Sequence, residues 1–213
     1  VPRDDATSLF SKTSINASRR DDVLLLQLNS ADGYPRLTRA ALVELSNLIG
    51  AFVASAEIRG AVITGTEKCF SAGAELAEVS ALDGTEALNF SAFGQSVMSA
   101  IERSPKPIIA AISGYCMGGG FDLALACHIR IVATDAVFAH RGASLGIITG
   151  WGGTQRLARV LGPPGRAIAR EVMLTGREIR AEEAYELKLT SRIVPANKLV
   201  DEALALARTA KER

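Results

Sequence analysis

The chain has 213 residues, 48% of them hydrophobic, with 24 lysines and arginines against 23 aspartates and glutamates. That length suits one well-cored domain, and a formal charge of +1 leaves no basic excess of the kind that binds nucleic acid or an anionic membrane. No apolar run approaches a membrane span, and Cys69, Cys116, Cys127, His128 and His140 match no zinc spacing and suit free thiols in a reducing cytoplasm.

The polar opening, residues 1–21, reads as a flexible lead-in and lacks the apolar centre of a signal peptide. "DVLLLQLNS" (22–30) is a short apolar run that predicts a buried strand. Thr38 then caps a helix in which Leu42, Leu45, Leu48, Ile49, Phe52 and Val53 recur at helical spacing. "GAVITG" (60–65) is a second buried strand, followed by the glycine-punctuated stretch 66–79. Leu88, Phe90, Phe93, Val97 and Ile101 mark a helix over 86–103, stopped by "SPKP" at 104–107.

"IIAAI" (108–112) is a third strand, the glycines of "CMGGG" open a helix that runs to about residue 126, and "IRIVA" (129–133) is a fourth strand. Residues 137–152 read as loop with short strand pieces. "TQRLARVLG" is a helix ended by Gly162, and Pro164 suits the first turn of a helix reaching Leu174. "REIRAEEAYELK" holds a further helix, "SRIV" a short strand, and Asn197 is placed to cap a last helix. Strands alternating with helices indicate an α/β protein with mostly parallel pairing.

Gly118, Gly119 and Gly120 stand at a strand-to-helix turn. Two readings are open: a turn that is merely tight, or bare N–H groups at a helix start that receive an anion. A phosphate is disfavoured, since no Walker lysine follows and no GxGxxG opens a first βαβ unit. An oxyanion is favoured by a second small-residue turn, "FSAGAE" (70–75), after the strand "GAVITG".

The stretches "GAVITG", "FSAGAELAE", "PKPIIAAISGYCMGGGFDLALACHIRIVATDAVFAH", "GGTQRLARVLG", "LTGREIRAEEAYELKL" and "SRIVP" together resemble the crotonase (enoyl-CoA hydratase/isomerase) family. The resemblance covers most of residues 22–195. It implies a spiral of ββα units over 22–195, with 196–213 as the start of a helical trimerisation region that is apparently truncated. It implies an acyl-CoA thioester substrate, a homotrimer or dimer of trimers, and no metal or redox cofactor, coenzyme A arriving as part of the substrate. The N–H groups of Ala74 and Gly119 would form the oxyanion hole. Ala72, Gly73, Ala74, Glu75, Leu76 and Ala77 would line the path of the pantetheine and nucleotide, with Gly118 and Gly119 against the thioester.

Hydratases of this family carry two glutamates around one water. At the first position this chain has Asp122, one methylene shorter, expected to point from the helix start into the pocket. At the second it has Gly142, which transfers no proton. His140 is the nearby group that titrates near neutrality, either as a relocated proton donor or as a strand-edge histidine held by a carbonyl. Trp151 walls the acyl pocket or simply packs, Cys116 lies at the rim as an inert thiol, and Gly150 stands where the dehalogenase branch has its aspartate. The leading expectation is enoyl-CoA hydratase-like lyase chemistry through a thioester enolate. The alternatives are isomerisation, decarboxylation or thioester hydrolysis through the same enolate, and a non-catalytic acyl-CoA-binding homologue.

Overall fold

A computed structural model describes residues 14–209. Ile15–Arg20 (β1) and Val23–Leu28 (β2) pair antiparallel, joined through Asp21 in the left-handed region at φ 58°. This corrects the flexible lead-in expected over 1–21 for its later part; residues 1–13 lie outside the described residues. In β1 only Ile15 is buried, and "NASRR" faces solvent. The strand is held by backbone pairing with β2 and carries no burial pattern for a sequence to display, as suits a charged edge.

The rest of the chain repeats one unit: a strand for a large sheet, a shorter strand, then helix. The first unit continues from β2 through Arg36–Leu37 (β3) into Arg39–Ala54 (α1), where the Thr38 hydroxyl accepts from Ala41 N as expected. The second holds Gly60–Thr64 (β4), Cys69–Ser71 (β5), Gly73–Ala74 (β6), Leu76–Ser80 (α2) and Gly84–Glu102 (α3). Asp83 and Glu86 form a reciprocal capping box at the start of α3. The third is Ile108–Ile112 (β7), Tyr115–Met117 (β8) and Gly119–Ala126 (α4). The fourth is Ile129–Ala133 (β9), Val137–Ala139 (β10), a 3₁₀ turn at Arg141–Leu145, Gly153–Val160 (α5) and Gly162–Thr175 (α6). Ile179–Arg180 (β11), Ala181–Glu186 (α7), Arg192–Val194 (β12) and Leu199–Thr209 (α8) complete the described chain.

The large sheet runs β1-β2-β4-β7-β9-β12, and the second runs β11-β10-β8-β5. All neighbours are parallel except β1–β2 and β10–β11. From the second unit to the fourth, the first strand joins the large sheet and the second joins the smaller one, while β3 of the first unit pairs with β6 in a short ladder of its own; this is the expected spiral.

The central strands β4 and β7 of the large sheet are buried at every position, as parallel strands covered on both faces are. Ile108, Ala110 and Ile112 join the main core beneath α1, α3 and α4, while Ile109 and Ala111 alternate to the other face. That second face is covered by Leu199, Ala203, Leu204 and Ala207 of α8. Within residues 196–213, expected to start a helical trimerisation region, α8 packs on this chain's own sheet. Asn197 lies inside a 3₁₀ turn, Ala196–Lys198, and does not cap α8. Lys188, just past the end of α7, adopts φ 61°, a left-handed position that usually favours glycine. Among the described residues no helix is long and apolar enough to cross a membrane.

Candidate active site

The three glycines have three different reasons. Gly118 has open space where a Cβ would point, but its φ of 50° with ψ −118° disfavours any side chain. Gly119 faces the indole of Trp151: a Cβ would lie 2.3 Å from the ring. Gly120 faces β5, with Ser71 Cβ at 2.6 Å from the same ideal position. Close packing therefore demands two of the three, and the turn geometry the third.

The second small-residue turn meets the first backbone to backbone. At Gly73, with φ 94°, a Cβ would stand 2.8 Å from Met117 O and 3.0 Å from Gly119 N. Gly119 is the first residue of α4, so its N–H has no partner within the helix. Ala74 and Gly119 line one cavity of about 710 Å³.

Its walls are mostly apolar: Leu76, Val79 and Leu82 on one side, Phe90 and Trp151 on another, with Leu145, Ile147 and Ile148 from the 141–149 segment. Of the residues expected to bind substrate, Ala72, Ala74, Leu76, Gly118, Gly119, Gly142 and Trp151 line it. Gly73, Glu75 and Ala77 are not part of its wall. Gly73 is buried behind it, and Glu75 accepts from Ala77 N as the N-cap of α2. Tyr34, Tyr115, Met117, Ser91, Thr149 and Glu178 also line the cavity, although none of them was expected to bind substrate.

Asp122 does not reach this cavity. It lies in the first turn of α4, as expected, but is fully buried and absent from the cavity wall. This overturns the expectation that the helix start aims it into the pocket. Its neighbours are His140 and Thr149, both of which do line the cavity. His140 Nε2 sits 3.0 Å from Asp122 Oδ1, and the Thr149 hydroxyl donates to Asp122 Oδ2. The ring N–H is not aimed along the line to Oδ1. The contact is an ion pair when the ring is protonated rather than an aligned hydrogen bond, and neither atom has another hydrogen-bond partner among the described residues. The imidazole stacks on Phe121, with centroids 5.1 Å apart and planes 24° from parallel.

The pair also explains a glycine outside the triplet. A Cβ on Gly153 would fall 1.9 Å from Asp122 Oδ1 and 2.8 Å from His140 Nε2. The "GG" that opens α5 thus leaves room for the buried pair at its second glycine. The first, Gly152, takes φ 102°.

Gly142 lies in the 3₁₀ turn, and a Cβ there would strike Ile147 O at 2.6 Å. The Ile147 N–H donates to Gly142 O at 2.9 Å, so the backbone closes over the place a side chain would use. At Gly150, Ser91 Oγ lies 2.8 Å from the ideal Cβ. The Gly150 carbonyl accepts from Ser91 Oγ at 2.9 Å and Gln95 Nε2 at 2.7 Å, tying the segment to α3. Trp151 is buried and packs edge-on against Phe90 at 5.4 Å. It both walls the cavity and packs.

Cys116 is buried and lies behind the wall rather than at the rim, while Cys69 lines the cavity. Burial pushes the Cys69 and Cys127 thiols up to about 12 and raises Cys116 well above its usual range, so all three are inert. His128 Nδ1 accepts from Ile108 N at 2.9 Å, a structural role. Among the described residues no group of three or more His, Cys, Asp or Glu is placed to hold a metal.

Comparison with known proteins gives a consistent picture. The family model described as enoyl-CoA hydratase/isomerase matches residues 19–213. A crotonyl-CoA hydratase of Syntrophomonas wolfei is 34% identical over 195 residues, covering 91% of this chain and 74% of the relative. A 2,3-dehydroadipyl-CoA hydratase of Escherichia coli is 36% identical, covering 89% and 72%. The crystal structure of an enoyl-CoA hydratase from Bacillus anthracis superposes with a TM-score of 0.86 at 35% identity, covering 92% of this chain and 76% of that one.

Proposed function

Because the chain belongs to the enoyl-CoA hydratase/isomerase family, we propose that it hydrates a 2-enoyl-CoA thioester through an enolate. The observation that carries this reading is the backbone contact of the two turns. Gly119 N lies 3.0 Å from where a Gly73 Cβ would be, beside Ala74, in the wall of a cavity that also holds His140. In this reading the thioester oxygen receives the N–H groups of Ala74 and Gly119. Each such preorganised donor contributes about 3–4 kcal/mol to the transition state. The apolar walls exclude water and receive the acyl chain.

His140 is the acid/base group in contact with the substrate, and Asp122 acts through it. The buried carboxylate holds the ring's position and balances its charge when the ring is protonated. Coenzyme A enters as part of the substrate, and the active assembly is a homotrimer or a dimer of trimers.

The buried Asp122 and the side-chain-free Gly142 favour a second reading. The same enolate would then serve isomerisation, decarboxylation or thioester hydrolysis, which make smaller demands on paired carboxylates. Incubation with a short trans-2-enoyl-CoA, followed by loss of the conjugated thioester absorbance, separates the two. Hydration is expected. Binding without hydration would pass the site to the second reading, and turnover of a malonyl-type thioester would establish the decarboxylase.

A further inference from the structure

We infer that Glu178 is the second acid/base group of this site, supplied from the approach to β11 where residue 142 has no side chain to offer. The inference rests on the hydratase reading above. Hydration needs one group to take a proton from water and one to deliver a proton to the α-carbon. Asp122 and His140 form a single unit, of which only His140 lines the cavity, so one role is unfilled. Among the described residues, Glu178 is the one carboxylate in the cavity wall.

Strand pairing brings it there. The antiparallel register of β10 and β11 sets Val137 opposite Arg180 and Phe138 opposite Ile179. Continued by one pair, it sets Glu178 opposite Ala139, the residue before His140. The segment is held close by Gly176, at φ 67°, whose Cβ would stand 3.1 Å from His140 O and 3.4 Å from Arg141 Cα. Arg141, the immediate neighbour of Gly142, donates from Nη2 to Glu178 Oε1 at 2.6 Å. Arg180 lies 3.6 Å from Oε2. The carboxylate is thus fixed beside the position that lacks one. Its side chain is 31% exposed, so water reaches it. The apolar lining makes an anchored carboxylate conspicuous, because a charge at such a wall is costly unless it is partnered.

The step balances without a co-reactant beyond water. Glu178 takes a proton from the water as its oxygen bonds to the β-carbon. The electron pair of the C=C bond moves into the enolate, whose oxygen meets Ala74 and Gly119. The His140 imidazolium then delivers a proton to the α-carbon. The Glu178 carboxylic acid and the neutral imidazole reset by proton exchange through solvent, and the net change is one water added.

The test uses trans-2-butenoyl-CoA with the parent protein, Glu178→Gln, and Glu178→Ala with and without formate. Glu178→Gln is expected to lower kcat by about 10²–10³-fold with KM within about threefold, the size of a lost general base. Formate is expected to restore activity to Glu178→Ala, as a carboxylate that only pairs with Arg141 would not require. A kcat for Glu178→Gln within threefold of the parent would overturn the inference. So would a Glu178→Ala loss that formate leaves unmoved and that appears chiefly in KM. A parent that binds the thioester but never hydrates it would overturn the hydratase reading and this inference with it.

Discussion

Two walls of one cavity are built from different materials. The wall made by β6, β8 and the start of α4 offers backbone, and its glycines are fixed by sterics: Gly73 against Met117 and Gly119, Gly119 against Trp151, Gly120 against Ser71. The other wall, residues 140–151 with Glu178, offers side chains, and it holds Gly142, the position at which the chain has no acid/base group where the family resemblance implies a glutamate. The contrast teaches that a backbone site is locked by its packing, since a side chain at Gly73, Gly119 or Gly120 collides. A side-chain site can be rebuilt, because a proton donor can approach the same reacting atoms from another element.

The largest expected effect that sharpens this contrast is on His140. His140→Gln keeps a polar side chain of similar length but removes the imidazole that can exchange a proton, and kcat for enoyl-CoA hydration is expected to fall about 10²–10⁴-fold. Thioester affinity, measured by calorimetry, should stay near the parent's because the backbone wall is untouched. A variant that kept its rate would break the distinction between the walls.

Gly153→Ala comes next. Its Cβ would fall on Asp122 Oδ1, 1.9 Å away, and push the carboxylate off His140. A displacement of that order is expected to cost about a hundredfold in kcat, with folding retained by circular dichroism. The smallest effect on activity belongs to Gly142→Glu. A glutamate there should give no gain in rate, since its Cβ meets Ile147 O at 2.6 Å. Thermal unfolding should instead show a loss of about 1–3 kcal/mol from overpacking. A faster Gly142→Glu enzyme would show that the 3₁₀ turn yields and that Glu178 is not needed there.

Much of the fold was legible because its strands are short, wholly apolar runs between breakers. "IIAAI" matches β7 residue for residue, and "GAVITG" overruns β4 by Gly65 alone; both strands are buried at every position. β1 was not legible, since backbone pairing with β2 holds a run whose side chains mostly face water. The role of α8 was also hidden. Its apolar stripe is readable, but which surface receives it depends on the completed sheet.

In the site, the triplet's position could be read, and its individual reasons could not. Trp151 and Ser71 are distant in sequence from the glycines they press against. Asp122 could be placed in the first turn of a helix, but not on the buried side of it, because every residue of α4 after Gly119 is buried and the helix shows no exposed face to orient it. Glu178 gave no signal at all. Its place at the cavity comes from the antiparallel β10–β11 pairing.

The central claim is that Asp122 works through His140 and not directly on substrate. A double-mutant cycle on hydration kinetics tests it, with Asp122→Asn, His140→Gln and the two combined. The account predicts strong non-additivity, the double variant being no slower than His140→Gln alone, as for residues that act as a unit. Losses that multiply in the double variant would contradict it and make Asp122 an independent acid/base.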